Sequence, residues 1–347
     1  MGRSFLYGVI GIVFVLLLVL SYFMFFQDGL IFQKNETKIF QIIKMNYELN
    51  NNNKALDLSA DFLALYPESK LKNKVIIIAA SICYDKHDLE SSKKYLGAFF
   101  KTMNYDNSEL ADAAIICGKI LKEQEIFDPM ILNNLEDAYL KISFEKRTEL
   151  SVYLGYAYLY KKDYLSAIRY FNEAIGEYGI IGIARVYIEQ GKYPEAIQEY
   201  QKYFSLYPVS INYHSVTNAF LKQTYYYANY LKQAKKNDEA VEFYLKIIQR
   251  FPNTHFSEES IYQIITIFYE MKDYTKAQYY IDKLLNNSVL LLDDHGLYQK
   301  AIIYYDLKKY QNSIQEFNKL LNNYPDSRLK ESAKEWLVIL YKGMKYQ

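Results

Sequence analysis

The side chains able to do chemistry are few and far apart. The four histidines, His87, His214, His255 and His295, are scattered along the chain. His295 stands beside Asp293 and Asp294, which could suggest a small metal cluster. At the start of a helix, such acids serve as caps and dipole partners, so a metal is not expected there. His255 follows Pro252-Asn253-Thr254 and reads as a loop residue. Cys83 and Cys117, the two cysteines, lack a metal-ligand spacing. Both fall on apolar faces of predicted helices and read as buried free thiols. A disulfide stays open in an oxidising compartment, since spacing alone does not set the geometry. There is no His-Glu-x-x-His for a helical zinc site and no Gly-x-x-x-x-Gly-Lys-Ser/Thr phosphate loop. No Gly-x-Ser-x-Gly nucleophile elbow is present either. The chain therefore reads as non-enzymatic, with no cofactor, metal or small-molecule substrate.

Charge excludes a further class. With 41 Lys+Arg against 40 Asp+Glu and no basic block, nothing in the chain matches a nucleic-acid backbone. Apolar residues form 51% of the sequence, so burial is not limiting. The 38 tyrosines beside only 13 glycines depart from average usage. Such a bias fits AT-rich codons, as in a low-GC spirochaete.

The elements that would carry any function begin with an apolar segment. Phe5 to Phe26 holds no charge and, at roughly 22 residues, exceeds the ~20 that span a bilayer core. It is also longer than a signal-peptide core, and no small-residue cleavage site follows Ser21-Tyr-Phe-Met-Phe-Phe26. The expectation is an uncleaved single-pass anchor over residues 1–27. Arg3 precedes the span and Asp28 follows it, which orients the rest outside the cytoplasm. In a two-membrane bacterium that is the periplasm.

Beyond the anchor one phrase recurs: Lys161-Lys-Asp-Tyr-Leu-Ser-Ala167, Gly191-Lys-Tyr-Pro-Glu-Ala196 and Met271-Lys-Asp-Tyr-Thr-Lys-Ala277. A repeat of about three dozen residues means stacked helical hairpins. Each unit should hold a helix A and a helix B that cross at small residues. In helix B these are Ala55, Ser92, Ala167, Ala196, Ala240, Ala277 and Ser313. One turn later come Ser59, Leu96, Phe171, Tyr200, Tyr244, Ile281 and Phe317. In helix A the matching positions are Ile43, Ala80, Gly155, Ala184, Ala228, Ile265 and Ala301. Helices B often end at Tyr-Pro or Phe-Pro, as at Pro67, Pro208, Pro252 and Pro325, where proline stops a helix. The polar residues after those prolines, such as Ser69, Thr254 and Ser327, are expected to cap the next helix. Val209 to Asn218 reads as an irregular insertion. Residues 107–147 read as a divergent hairpin broken near Asp128-Pro129, and Asp326 to Lys342 as a lone terminal helix with Trp336.

This pattern resembles the tetratricopeptide repeat over roughly residues 36–325, most faithfully at Leu154-Gly155, Tyr158, Ala167, Phe171 and Ala174. The resemblance implies an all-α, right-handed superhelical solenoid of about seven hairpins behind one membrane helix. Its expected organisation is an anchor at 1–27, divergent hairpins at 28–147, a regular solenoid at 148–325 and a capping helix at 326–347. The Pro-x-Ser/Thr phrases look like those of bacterial envelope members linked to barrel assembly and Tol–Pal. Those relatives are lipidated or secreted, whereas this chain reads as membrane-spanning. In layout it is also similar to the membrane-attached members that form the collar of spirochaete periplasmic flagellar motors.

The family binds partners on the concave face lined by helix A. Carried over, its exposed positions become Val152, Tyr156 and Leu159; Ile181, Arg185 and Ile188; Tyr225, Asn229 and Lys232; Tyr262, Thr266 and Tyr269; and Tyr298, Ile302 and Tyr305. Tyrosine offers large contact area and a polar tip, as binding surfaces require. The functional expectation is a scaffold that binds other proteins, envelope or flagellar-motor components, through this face. The alternatives are an adaptor for outer-membrane clients and an accessory subunit of a cell-wall enzyme. The competing reading of the tyrosines is packing between repeats.

Overall fold

The structure, a computed structural model, describes residues 35–344. Among these residues every regular element is a helix. The expected anchor at 1–27 lies outside them, and none of the described helices is long and apolar enough to cross a membrane.

The chain forms two compact units that divide between Val186 and Tyr187. In the first, α1 (residues 35–48) pairs with α2 (Asn52–Leu65), and α3 (Lys72–Asp85) with α4 (Leu89–Thr102). Then α5 (Asn107–Gln124) pairs with α6 (Pro129–Lys141) and α7 (Phe144–Tyr160) with α8 (Tyr164–Glu173). The boundary falls inside α9 (Glu177–Glu189). The second unit carries α10 (Tyr193–Leu206) and the pairs α11 (Tyr213–Gln233) with α12 (Asn237–Arg250), and α13 (His255–Glu270) with α14 (Tyr274–Leu285). It ends with α15 (Asp293–Asp306) paired to α16 (Tyr310–Asn323), and α17 (Lys330–Met344) packed on α16.

The small residues do what their size predicts. Ala55, Ser92, Ala167, Ala196, Ala240, Ala277 and Ser313 are all fully buried, as are Ile43, Ala80, Ala184, Ala228, Ile265 and Ala301 of the A helices. Where serine replaces alanine, its hydroxyl is satisfied across the crossing. Ser92 Oγ donates to Ala80 O and Ser313 Oγ to Ala301 O, both at 2.8 Å. Such bonds remove the cost of burying the hydroxyl.

The turns between A and B are built alike. Asn50, His87, Lys162, Gly191, Lys235, Lys272 and Lys308 each adopt positive φ, from 58° to 71°. The next residue's N–H reaches back to the carbonyl five positions earlier, as in Asp88 to Cys83, Asp163 to Tyr158 and Lys309 to Tyr304. This is a Schellman ending of helix A. The residue that closes it also begins helix B. Only one of the seven left-handed positions is glycine, although side chains pay roughly 1–2 kcal/mol there.

Three expectations need correction. Val209 to Asn218 is not an irregular insertion: after a short turn, α11 starts at Tyr213 and runs 21 residues. Val216 and Phe220 keep helical spacing and are buried, Phe220 packing between Phe204 and Phe251. His255 is the first residue of α13, not a loop residue. Among the post-proline residues, Thr254 caps its helix by accepting Ser257 N–H at 3.2 Å. Ser69 and Ser327 do not. Each accepts the N–H two residues on and donates to an acid one repeat earlier, Ser69 to Glu36 at 2.8 Å and Ser327 to Asp294 at 2.5 Å. These serines therefore tie neighbouring hairpins together.

Candidate interaction surface

The predicted site residues divide between the two units. In the first, the carried-over positions of α7 offer no surface. Tyr156 is only 4% exposed, and Val152 and Leu159 are buried as well. The cause is close packing on both sides. Tyr156 stands edge-on to Phe171, with ring centres 5.1 Å apart. The Phe171 ring in turn sits where Gly155 and Gly182 leave room, while Gly179 approaches its backbone carbonyl; a methyl added at Gly155 would lie 2.6 Å from the ring. Gly118 makes the same allowance for Tyr153.

Arg185 is half-buried and ion-paired with Glu125 at 2.7 Å. Lys122 lies beside it, with its ammonium 5.0 Å from the Tyr156 ring and 5.4 Å from that of Tyr178. Burial pushes the Lys122 ammonium below its usual range, and the Arg185 charge adds to this. The Arg185 bond holds the Glu125 carboxyl low. What remains open here is a compact cationic–aromatic cluster.

In the second unit, successive A helices present the remaining predicted residues, all half-buried: Tyr225, Asn229 and Lys232 on α11, Tyr262 and Tyr269 on α13, and Tyr298 and Tyr305 on α15. They are linked laterally. Tyr225 donates to Glu259 at 2.8 Å, and Lys232 donates to Gln263 and Thr266 at 2.8 and 2.7 Å. Asn229 accepts the Tyr244 hydroxyl at 2.6 Å. Tyr262 meets the edge of His295. Trp336 Nε1 donates to Tyr298 at 3.1 Å, and its ring lies 4.8 Å from Tyr305. Most of these bonds join residues one repeat apart. They hold the rings in one orientation, which reduces the entropy a partner must remove.

Burial, followed by the bond to Glu259, pushes the Tyr225 phenol up to about 12. Burial and Asp306 do the same for Tyr269. Lys232 is pushed down by burial, against the pull of Glu270. Sequence reasoning missed Glu259, Gln263 and Trp336 as members of this surface. Their signal was there in the one-repeat spacing to Tyr225, Lys232 and Tyr298.

The acid cluster before His295 has a structural explanation. Asp293 accepts from Tyr324 at 3.0 Å, and Asp294 from Ser327 and His295. Among the described residues no group of His, Cys, Asp and Glu could hold a metal ion. Cys83 and Cys117 are buried free thiols.

The second unit is thus a set of stacked helical hairpins joined by a lateral ladder of side-chain bonds. The tetratricopeptide repeat family model matches residues 181–210, 224–254 and 296–327. No curated protein matches the chain. Among solved structures, the C-terminal part of a tetratricopeptide repeat-containing protein from Cytophaga hutchinsonii is similar at 13% identity and TM-score 0.42, covering 86% of this chain and 99% of that one. PilW, a type IV pilus biogenesis factor, is similar at 12% identity and TM-score 0.45, with 65% and 97% covered. PilF of Pseudomonas aeruginosa is similar at 16% and 0.29, with 66% and 98% covered.

Proposed function

We propose that the protein is a membrane-anchored, non-enzymatic scaffold that binds another protein through the A-helix face of its second unit. The observation that carries this reading is the row Tyr225, Tyr262, Tyr269, Tyr298 and Tyr305. These are large rings left half-buried on three successive A helices and fixed by contacts with their neighbours. Preoriented aromatics at low entropic cost are what binding energy concentrates on. The uncharged run Phe5 to Phe26 supports the anchor. The charge flanking it supports a periplasmic placement of the rest. The assembly we favour is a bacterial envelope complex, with the flagellar-motor collar as its most specific form.

The experiment is in-cell crosslinking with mass spectrometry on the full chain, comparing wild type with Tyr262→Ala/Tyr298→Ala. The expected result is loss of at least tenfold of the crosslinked partner at unchanged helicity. A folded double variant that keeps every partner removes the proposal. Motor components among the crosslinks would support the collar. Unfolded barrel precursors or a peptidoglycan enzyme would move the protein to one of the other two roles.

A further inference from the structure

The first unit holds a cavity lined by none of the predicted site residues. It lies between α4 and α6, with Cys117 and Ile120 of α5 as its floor, and has a volume of about 380 Å³. Leu96, Gly97 and Phe100 wall it on the α4 side and Ile131 on the α6 side. The cavity exists because α4 lies only loosely along α5, whereas α12 runs along α13 over much of its length. Gly97 enlarges it further, for a Cβ added there would meet nothing within 4 Å. Ligand pockets begin at about 300 Å³, are mostly apolar, and carry a few polar groups that orient the ligand. An apolar cavity of ~150 Å³ already holds benzene.

The mouth is chemically asymmetric. Met103 and Met130 form its apolar lips and are 86% and 67% exposed. Methionine adapts to irregular apolar guests. Lys101 stands at the rim, as does Lys93, whose ammonium pairs with the exposed Glu90 at 3.4 Å. The one acid there, Asp128, already accepts the N–H groups of Met130 and Ile131 at 2.9 and 3.3 Å as the cap of α6. Its charge is engaged by the helix end, so Lys101 is the rim charge left to favour an anion. Burial also raises the Cys117 thiol to about 12, in keeping with a dry floor.

We propose that this cavity binds one alkyl chain bearing an anionic head, as in a fatty acid or a lipid acyl chain. The chain enters between α4 and α6, and the head remains at Lys101. A cationic amphiphile would place its head against that lysine and be excluded. A flat aromatic patch for a protein partner would need no such depth.

The test uses the full chain in lipid nanodiscs, so that no free detergent competes. A twelve-carbon carboxylate with a terminal diazirine is photolysed with the protein, and the labelled peptides are mapped. The expected label lies on the α4, α5 and α6 segments around Leu96, Ile120 and Ile131. Laurate should suppress it at least tenfold, and dodecyltrimethylammonium should not. Gly97→Leu, which fills the cavity at a site with free space, should abolish the label without lowering the melting temperature. Lys101→Glu should weaken laurate competition several-fold. Labelling that persists in Gly97→Leu overturns the proposal. So does labelling that spreads equally to Val209 and Ile211, which are 95% and 94% exposed in the other unit. Equal competition by the cationic chain would also overturn it. Protein capture that depends on Gly97 while the carboxylate leaves no label would instead assign the cavity to a protein partner.

Discussion

The two units use aromatic rings in opposite ways. In the first, glycines at positions 155, 179 and 182 admit Phe171 so closely that Tyr156 is sealed beneath the surface. In the second, the residues equivalent to Gly155 are alanine and isoleucine, Ala228, Ile265 and Ala301, and the tyrosines beside them stay half-buried, although Gly296 of α15 stands where Gly179 does in α9 and lies against leucine side chains instead of a ring. The difference teaches that a position rule for an exposed face holds only while helices keep their usual separation. Glycine shortens that separation and turns a surface residue into core.

The largest effect should therefore come from emptying the glycine cradle. Phe171→Ala removes a fully buried ring, and such changes cost about 3–5 kcal/mol. Hydrogen exchange should show lost protection over residues 144–186, and normal protection there would break the comparison. Tyr262→Ala, by contrast, trims a half-buried ring and should cost about 1 kcal/mol or less, as surface changes do. Its effect belongs in partner binding, and a denaturant melt checks the separation. If both substitutions cost the same, the contrast between the units is lost.

A smaller effect tests the turns. Asp88 and Asp163 begin helices α4 and α8 in the first unit and accept Ser91 and Ser166 N–H groups. In the second unit Asp273 likewise accepts the Lys276 N–H at the start of α14, but Lys192, Lys236 and Lys309 stand at that position of α10, α12 and α16 with no side-chain cap. Lys236→Asp and Lys309→Asp should each stabilise by about 1 kcal/mol, read as a rise in melting midpoint. No rise would mean that the turn geometry keeps the carboxylate from the amides.

The smallest effect is on pH. The Ser166 bonds hold the Asp163 carboxyl below its usual range, and the Ser91 bonds do so for Asp88. A depressed carboxylate contributes stability that is complete above its unfolded pKa of about 3.9 and is lost as pH falls through the lower folded value. The Ser91 and Ser166 amide resonances should thus move together below about pH 4. The α12 and α16 starts, which have lysine there, should not titrate. A titrating α16 start would erase this distinction.

Much of the fold was legible in the residues themselves. Each small position assigned to helix B is fully buried, because a close helix crossing tolerates little else. The break at Asp128-Pro129 marks the start of α6, where Asp128 caps and Pro129 occupies the first turn. The start of α11 was hidden because Pro208 and a polar run suggest a loop, while Val216 and Phe220 are too few to declare a helix alone. Tyr156 was misjudged because its burial depends on glycines in α7 and α9 meeting Phe171 in α8. The cavity beside Gly97 was invisible for the same kind of reason, since it depends on how far α4 stands from α6.

The central claim is tested most directly by a photoreactive benzoylphenylalanine placed at Tyr262 on α13 or at Tyr279 on α14, in cells. Tyr279 is the more exposed of the two and lies on a B helix. The account predicts a discrete protein adduct from position 262 and none from 279. An adduct from 279 alone, or equal yields from both, would contradict an A-helix binding face.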